Sequence, residues 1–148
     1  MIKGKNGKKN KLYKSECYCT NLRRSAGFVS DFYDKAMEET GLTAAQYYLL
    51  INLSRLKAVN VTHWAERVGL DRSTMIRNIR VLENHGYIEL SEGHGKVYTL
   101  TQHGTDTLEA TVPIWNKAQK QIETFLGKED ADAILRIGSK LQLLEETI

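Results

Sequence analysis

The chain has 148 residues, 41% of them hydrophobic, and a formal net charge of +3. That is enough for one domain with its own core, and no apolar run approaches the roughly 18 residues of a membrane-spanning helix. The basic start lacks the apolar stretch of a secretion signal, which points to a soluble, cytoplasmic protein.

Lys3, Lys5, Lys8, Lys9, Lys11 and Lys14 fall in the first 14 positions, where there is no acidic residue. Residues 1–16 read as a basic, disordered arm that solubilises the chain and makes at most weak contact with phosphate. Residues 21–39 carry Leu22, Ala26, Val29, Tyr33 and Met37 near helical spacing and stop before Gly41. Thr43 is placed to cap a second helix over residues 43–56, whose Tyr47, Leu50, Ile51 and Leu53 supply buried bulk.

Two short amphipathic segments follow. Val61, Ala65 and Val68 share one helical face, and Gly69 permits a sharp turn. Asp71 stands where an N-cap is wanted. Over Arg72–Asn84, Met75, Ile79 and Leu82 form a buried stripe with Ile76 at its edge. The opposite face holds Ser73, Thr74, Arg77, Asn78, Arg80 and Asn84, with no acid among them. A hairpin comes next, residues 87–90 and 96–101, joined by a connection at 91–95 with two glycines.

Helix, turn, helix and hairpin in that order form a winged helix-turn-helix, which places one helix in the DNA major groove. Arginine can grip guanine or phosphate, and Ser, Thr and Asn are short hydrogen-bonding side chains. Arg72, Ser73, Thr74, Arg77, Asn78 and Arg80 are therefore the candidate DNA contacts. His94 and Lys96 are the cations available at the tip of the wing. A winged-helix module that binds protein or RNA without reading an operator is the alternative.

Gln102–Leu126 forms a long helix with Leu108, Val112, Trp115, Ile122 and Phe125 on its apolar side. Pro113, the single proline, sits inside it and predicts one kinked helix. Residues 128–148 show Ile134, Ile137, Leu141, Leu144 and Ile148 at 3-4-3-4 spacing, the seam of a helix laid along another helix. Leu135 and Leu143 lie off that seam, which predicts a second buried face in a partner subunit.

Cys17 and Cys19 are the two cysteines. Two residues apart on a helix, their side chains diverge by about 200°. They read as ordinary small residues, as redox-sensing thiols near Arg23 and Arg24, or as ligands of a shared metal, although the Cys-x-Cys spacing does not suit a metal knuckle. Nothing indicates an enzyme: there is no phosphate-binding glycine loop, no nucleophile with an activating context and no metal motif. His63, His85, His94 and His103 stand at unrelated spacings. No cofactor is called for.

The segment WAERVGLDRSTMIRNIRVLENHGYIE, then VYTLTQHG, then VPIWNKAQKQIETFLG resembles the multiple-antibiotic-resistance regulator (MarR) family, with the likeness running from Cys17 to the C-terminus. The resemblance implies a mainly α fold with a small β-hairpin wing. It implies a winged helix-turn-helix over residues 43–101 and dimerisation helices over 17–40 and 102–148, together a single domain over 17–148. It also implies a homodimer on a pseudo-palindromic operator, with repression relieved by a small aromatic or phenolic effector or by cysteine oxidation. Ser73, Thr74, Arg77 and Asn78 fall on the family's groove-facing positions, and Arg72 and Arg80 on flanking ones. The wing departs from the family pattern in lacking an arginine. By the same likeness, Cys19 takes the position of a reactive thiol in peroxide-sensing members. Tyr33 takes that of one of two tyrosines that bind the thiol, and Ala44 that of the other. An effector pocket between the dimer helices and the winged part would draw on Arg24, Phe32, Tyr33, Tyr47 and Trp64.

Overall fold

A computed structural model describes residues 15–93 and 95–148. Six helices and one antiparallel hairpin follow in the order α1 (Tyr18–Ala36), α2 (Ala44–Leu56), α3 (Val61–Val68), α4 (Arg72–Asn84), β1 (Ile88–Gly93), β2 (Gly95–Leu100), α5 (Gln102–Leu126) and α6 (Lys128–Leu141). Short 3-10 turns at Glu38–Thr40 and Leu144–Thr147 follow α1 and α6.

Capping chemistry sets the helix starts. The Thr43 side chain accepts from Gln46 N, and Gln46 Oε1 accepts from Thr43 N, a reciprocal capping box. Asn60 accepts from His63 N, Asp71 from Thr74 N and Thr101 from Gly104 N, opening α3, α4 and α5. Gly69 closes α3 in the left-handed region, at φ 74°.

The core gathers around α2, α3 and α4. Leu50, Leu53, Trp64, Met75 and Leu82 are almost wholly buried in it, joined by Met37 and Leu42 from the α1–α2 link and Leu108 from α5. Ile51 and Val61, expected to be buried, are half-buried, and Leu49 and Trp64 occupy the core beside them. Trp64 Nε1 donates to Leu49 O at 3.3 Å, so its one polar atom is satisfied inside.

Three boundaries differ from the sequence expectation. The first helix starts at Tyr18 rather than 21, because Asn21 reaches back to donate to Cys17 O. It ends at Ala36 rather than 39: fully buried Met37 turns inward, Thr40 Oγ1 donates to its carbonyl, and the chain tightens into a 3-10 turn. The last helix stops at Leu141 rather than 148. Glu145 and Glu146 lie in the following turn, where negative charge opposes the carbonyl end of a helix dipole. The strands also run further toward the tip, from Ile88↔Leu100 to Gly93↔Gly95, so most of the expected connection is paired strand. Val59 adds a bridge to Tyr98, tying the α2–α3 link to the wing. Pro113 lies within one continuous α5, as expected.

Candidate nucleic-acid interface

Burying Met75, Ile79 and Leu82 orients α4. A helix that buries one stripe presents the opposite one, and Ser73, Arg77, Arg80 and Asn84 are all exposed, with Thr74 and Asn78 half-buried beside them. Arg72 turns to the side, donating to Thr62 Oγ1 of α3 at 2.7 Å and bracing the two helices. Arg77 Nη2 donates to Thr74 Oγ1 at 3.2 Å, and Asn78 Nδ2 donates to Thr74 O at 2.9 Å. Among the described residues the one ion pair is Lys128–Asp132, far along the chain, so the α4 arginines form no direct ion pair with a carboxylate.

Asp71 is an anion at the start of this face, and its lone pairs are engaged. It accepts from Thr74 N, Ser73 Oγ and Thr74 Oγ1 at 2.7–2.8 Å. The Thr74 amide first, then the two hydroxyls, and more weakly Arg77, hold its carboxyl well below the usual carboxylate range. Sequence reasoning found Asp71 as a cap and missed that it also ties down the hydroxyls of two candidate contacts, Ser73 and Thr74.

On the wing, Lys96 is exposed and stands in register with Glu92. His94 lies outside the described residues, as do residues 1–14 of the expected basic arm.

The effector residues divide. Trp64 lies fully buried in the core against Tyr98. Tyr33 and Tyr47 both stack on Trp115, at 6.1 and 5.6 Å between ring centroids, so one indole clamps α1 and α2 to α5. Burial raises the pKa of both tyrosines. The Tyr33 hydroxyl donates to Gln119 of α5. Phe32 meets Tyr33 edge-on, and Arg24 is exposed on α1. A cleft of about 630 Å³ opens between α1, α5 and α6, and of the five expected residues only Tyr33 lines it. Trp115 carried no more than an apolar signal in sequence, because its partners lie some 70 to 80 residues away.

Both cysteines are exposed, free thiols. Cys17 is the N-cap residue of α1, and hydrogen bonds from the Thr20 hydroxyl and amide lower its pKa. Cys19 lies in the first turn of the helix, with Arg23 Nη2 3.7 Å from its sulfur. Fourteen residues separate Cys19 from Tyr33 on α1, about 21 Å along the axis, so the two do not meet within one chain.

This architecture is shared with solved transcriptional regulators. The Mycobacterium tuberculosis regulator MosR superposes with a TM-score of 0.77 at 29% identity, over 90% of this chain and 98% of that one. The same regulator in complex with DNA gives 0.75 at 28%, over 87% and 98%. Bordetella bronchiseptica BpsR, whose DNA binding is regulated by 6-hydroxynicotinic acid, gives 0.78 at 22%, over 88% and 97%. No curated protein sequence matches the chain. Residues 40–96, which hold α2, α3, α4 and most of the wing, match the MarR family. Over these residues the chain is similar to the MarR family of transcriptional regulators.

Proposed function

We propose that this chain is a homodimeric DNA-binding transcriptional regulator, a repressor whose α4 enters the major groove in each half of a pseudo-palindromic operator. The observation that carries the reading is the exposed α4 face: Ser73, Arg77, Arg80 and Asn84 outward, no acid among them, and arginines in no direct ion pair. The DNA complex of MosR, a regulator of the same fold, supports it. Ser73, Thr74, Arg77 and Asn78 contact base edges, Arg72 and Arg80 the flanking backbone, and Lys96 of the wing phosphate. Residues 43–101 form the winged part, and 17–40 with 102–148 form the dimer helices. With two-fold symmetry the recognition helices sit about 34 Å apart, one DNA turn.

Release follows from whatever alters that spacing, and a few kcal/mol of differential affinity suffices. The Tyr33–Trp115–Tyr47 stack, at the junction of α1, α2 and α5, gives a planar ligand a place to act. Exposed Cys17 and Cys19 at the head of α1 give an oxidant another.

Fluorescence anisotropy on the DNA upstream of its own coding sequence, across a salt series, tests the proposal. Tight binding with a steep salt slope is expected, weakened at least tenfold by Arg77→Ala while dimerisation is unchanged. Binding no tighter than to random duplex sinks the operator reading. Peroxide that releases wild type but not Cys17→Ser or Cys19→Ser protein assigns release to the thiols, and indifference to peroxide leaves it to a ligand.

A further inference from the structure

One carboxylate fixes the direction of hydrogen bonding on the groove-facing side of α4. Asp71 Oδ1 lies 2.7 Å from Ser73 Oγ, and Oδ2 lies 2.7 Å from Thr74 Oγ1. An ionised carboxylate has lone pairs and no proton, so in both contacts the hydroxyl donates. The same contacts, with the Thr74 amide, hold the Asp71 carboxyl below its usual range, and it is an anion at neutral pH. A hydroxyl has one proton to give. With that proton committed to Asp71, exposed Ser73 offers only lone pairs to anything outside. Thr74 Oγ1 is further occupied, accepting from Arg77 Nη2 at 3.2 Å. Arg77 keeps its remaining N–H groups for a partner.

We infer that Asp71 is a positioning residue that makes Ser73 an obligate acceptor, so that Ser73 selects adenine or cytosine on the strand it faces. The inference rests on the DNA-binding reading and adds to it a base preference. In the major groove only adenine N6 and cytosine N4 donate, whereas guanine and thymine present acceptors and a methyl group. Phosphate oxygens also only accept, so Ser73 reads a base and does not anchor to the backbone. Arg77 lies one turn further along α4, about 6 Å, and its donors suit guanine O6 and N7. Each half-site then holds an adenine or cytosine within about two base pairs of a guanine, at a base-pair rise of about 3.4 Å.

The test is selection from a pool of random duplexes by wild type, Ser73→Ala and Asp71→Asn proteins, followed by sequencing. Wild type should enrich a two-fold symmetric site in which one position in each half takes adenine or cytosine over guanine or thymine. The expected preference is about tenfold, the size of one hydrogen bond. Ser73→Ala should erase that preference and leave the neighbouring guanine in place. Asp71→Asn keeps a competent helix cap, but its amide offers one acceptor oxygen and an NH2 group, so a hydroxyl is free to donate outward and guanine or thymine should enter. Circular dichroism checks that the variants are folded, and Ser73→Ala alone decides if Asp71→Asn is not. A preference that survives Ser73→Ala, or that Asp71→Asn leaves unchanged in a folded protein, overturns the inference while the regulator stands. Failure of wild type to enrich any sequence overturns the operator reading and this inference with it.

Discussion

A methyl group on Gly104 would have no room. A Cβ built there lies 2.0 Å from Tyr87 O and 2.8 Å from Tyr87 C, both backbone atoms that cannot swing aside. Gly104 sits in the first turn of α5, where helix propensity alone favours alanine by about 1 kcal/mol. Packing opposes it: Tyr87 O also accepts from Thr101 N at 3.0 Å, so separating α5 from the foot of the wing would cost that bond as well. Overpacking against backbone costs about 1–3 kcal/mol, and we expect Gly104→Ala to lower Tm by several degrees in differential scanning fluorimetry. A rise in Tm would mean that the approach of α5 to Tyr87 is looser than described. Asp71 gives a pH signature at the same scale. Its carboxyl pKa is lowered in the folded state, so its contribution is present above the ordinary carboxylate value of about 4 and is lost as pH falls through the lower folded value. Urea midpoints at pH 7 and pH 3 should therefore fall less on acidification in Asp71→Asn protein than in wild type. An equal fall in both would show that the Asp71 contacts add nothing to folding.

Among the elements, α5 connects the parts. Its 25 residues span about 38 Å, from the foot of the wing at Gly104, past the core at Leu108, to exposed Phe125. Midway, Trp115 stacks on both Tyr33 and Tyr47 and so fixes α1 and α2 on one helix. Trp115→Ala removes both stacks together, and the cost should be about 3 kcal/mol in urea denaturation. Tyr33→Phe keeps the ring and loses the hydroxyl donated to Gln119, and should cost about 1 kcal/mol. If the two variants cost the same, the hydroxyl and not the stacking holds α1 to α5. The sequence pattern is readable where local chemistry decides and silent where distant chain does. The bounds of α3, α4 and α5 were legible because Asp71 marks a start, Gly69 a stop, and apolar residues recur at helical spacing between such signals. On α4 the same periodicity separated the buried Met75–Ile79–Leu82 stripe from the candidate contacts. The ends of α1 and α6 were not legible, because no residue of either helix is buried in this chain and the pattern there answers to a surface the chain does not supply. Two glycines at the wing read as a loop although the register carries pairing through to both of them. The Trp115 sandwich brings together residues that no local window spans.

At the scale of the whole molecule, the exposed apolar side chains converge on one set of helices. Phe28 on α1 and Leu135 on α6 are each 67% exposed, Phe125 at the end of α5 is 89% exposed, and Ile134, Ile137 and Leu141 continue along α6. The winged part buries most of its large residues and leaves Tyr48, Val81 and Leu90 exposed singly. Apolar surface on this scale, concentrated on α1, α5 and α6, is the mark of an interaction face, and a second copy offers the same helices in return, as a two-fold interface requires. Because no residue of α6 is fully buried within its own chain, changing it should not unfold the rest. We therefore expect the double variant Ile137→Glu, Leu141→Glu to keep its helical circular dichroism and to run as a monomer in size-exclusion chromatography with light scattering. Its consequence for DNA follows from linkage of the two readers: joining two binding modules raises apparent affinity by about 10²–10⁴, and that factor should be lost. The salt slope should fall by about half, since half as many phosphates are neutralised per bound protein. A variant that remains dimeric would move the interface off α6. A monomer that binds with wild-type affinity and slope would show that one winged part reads the operator alone, and the spacing of two recognition helices would then have no role in repression.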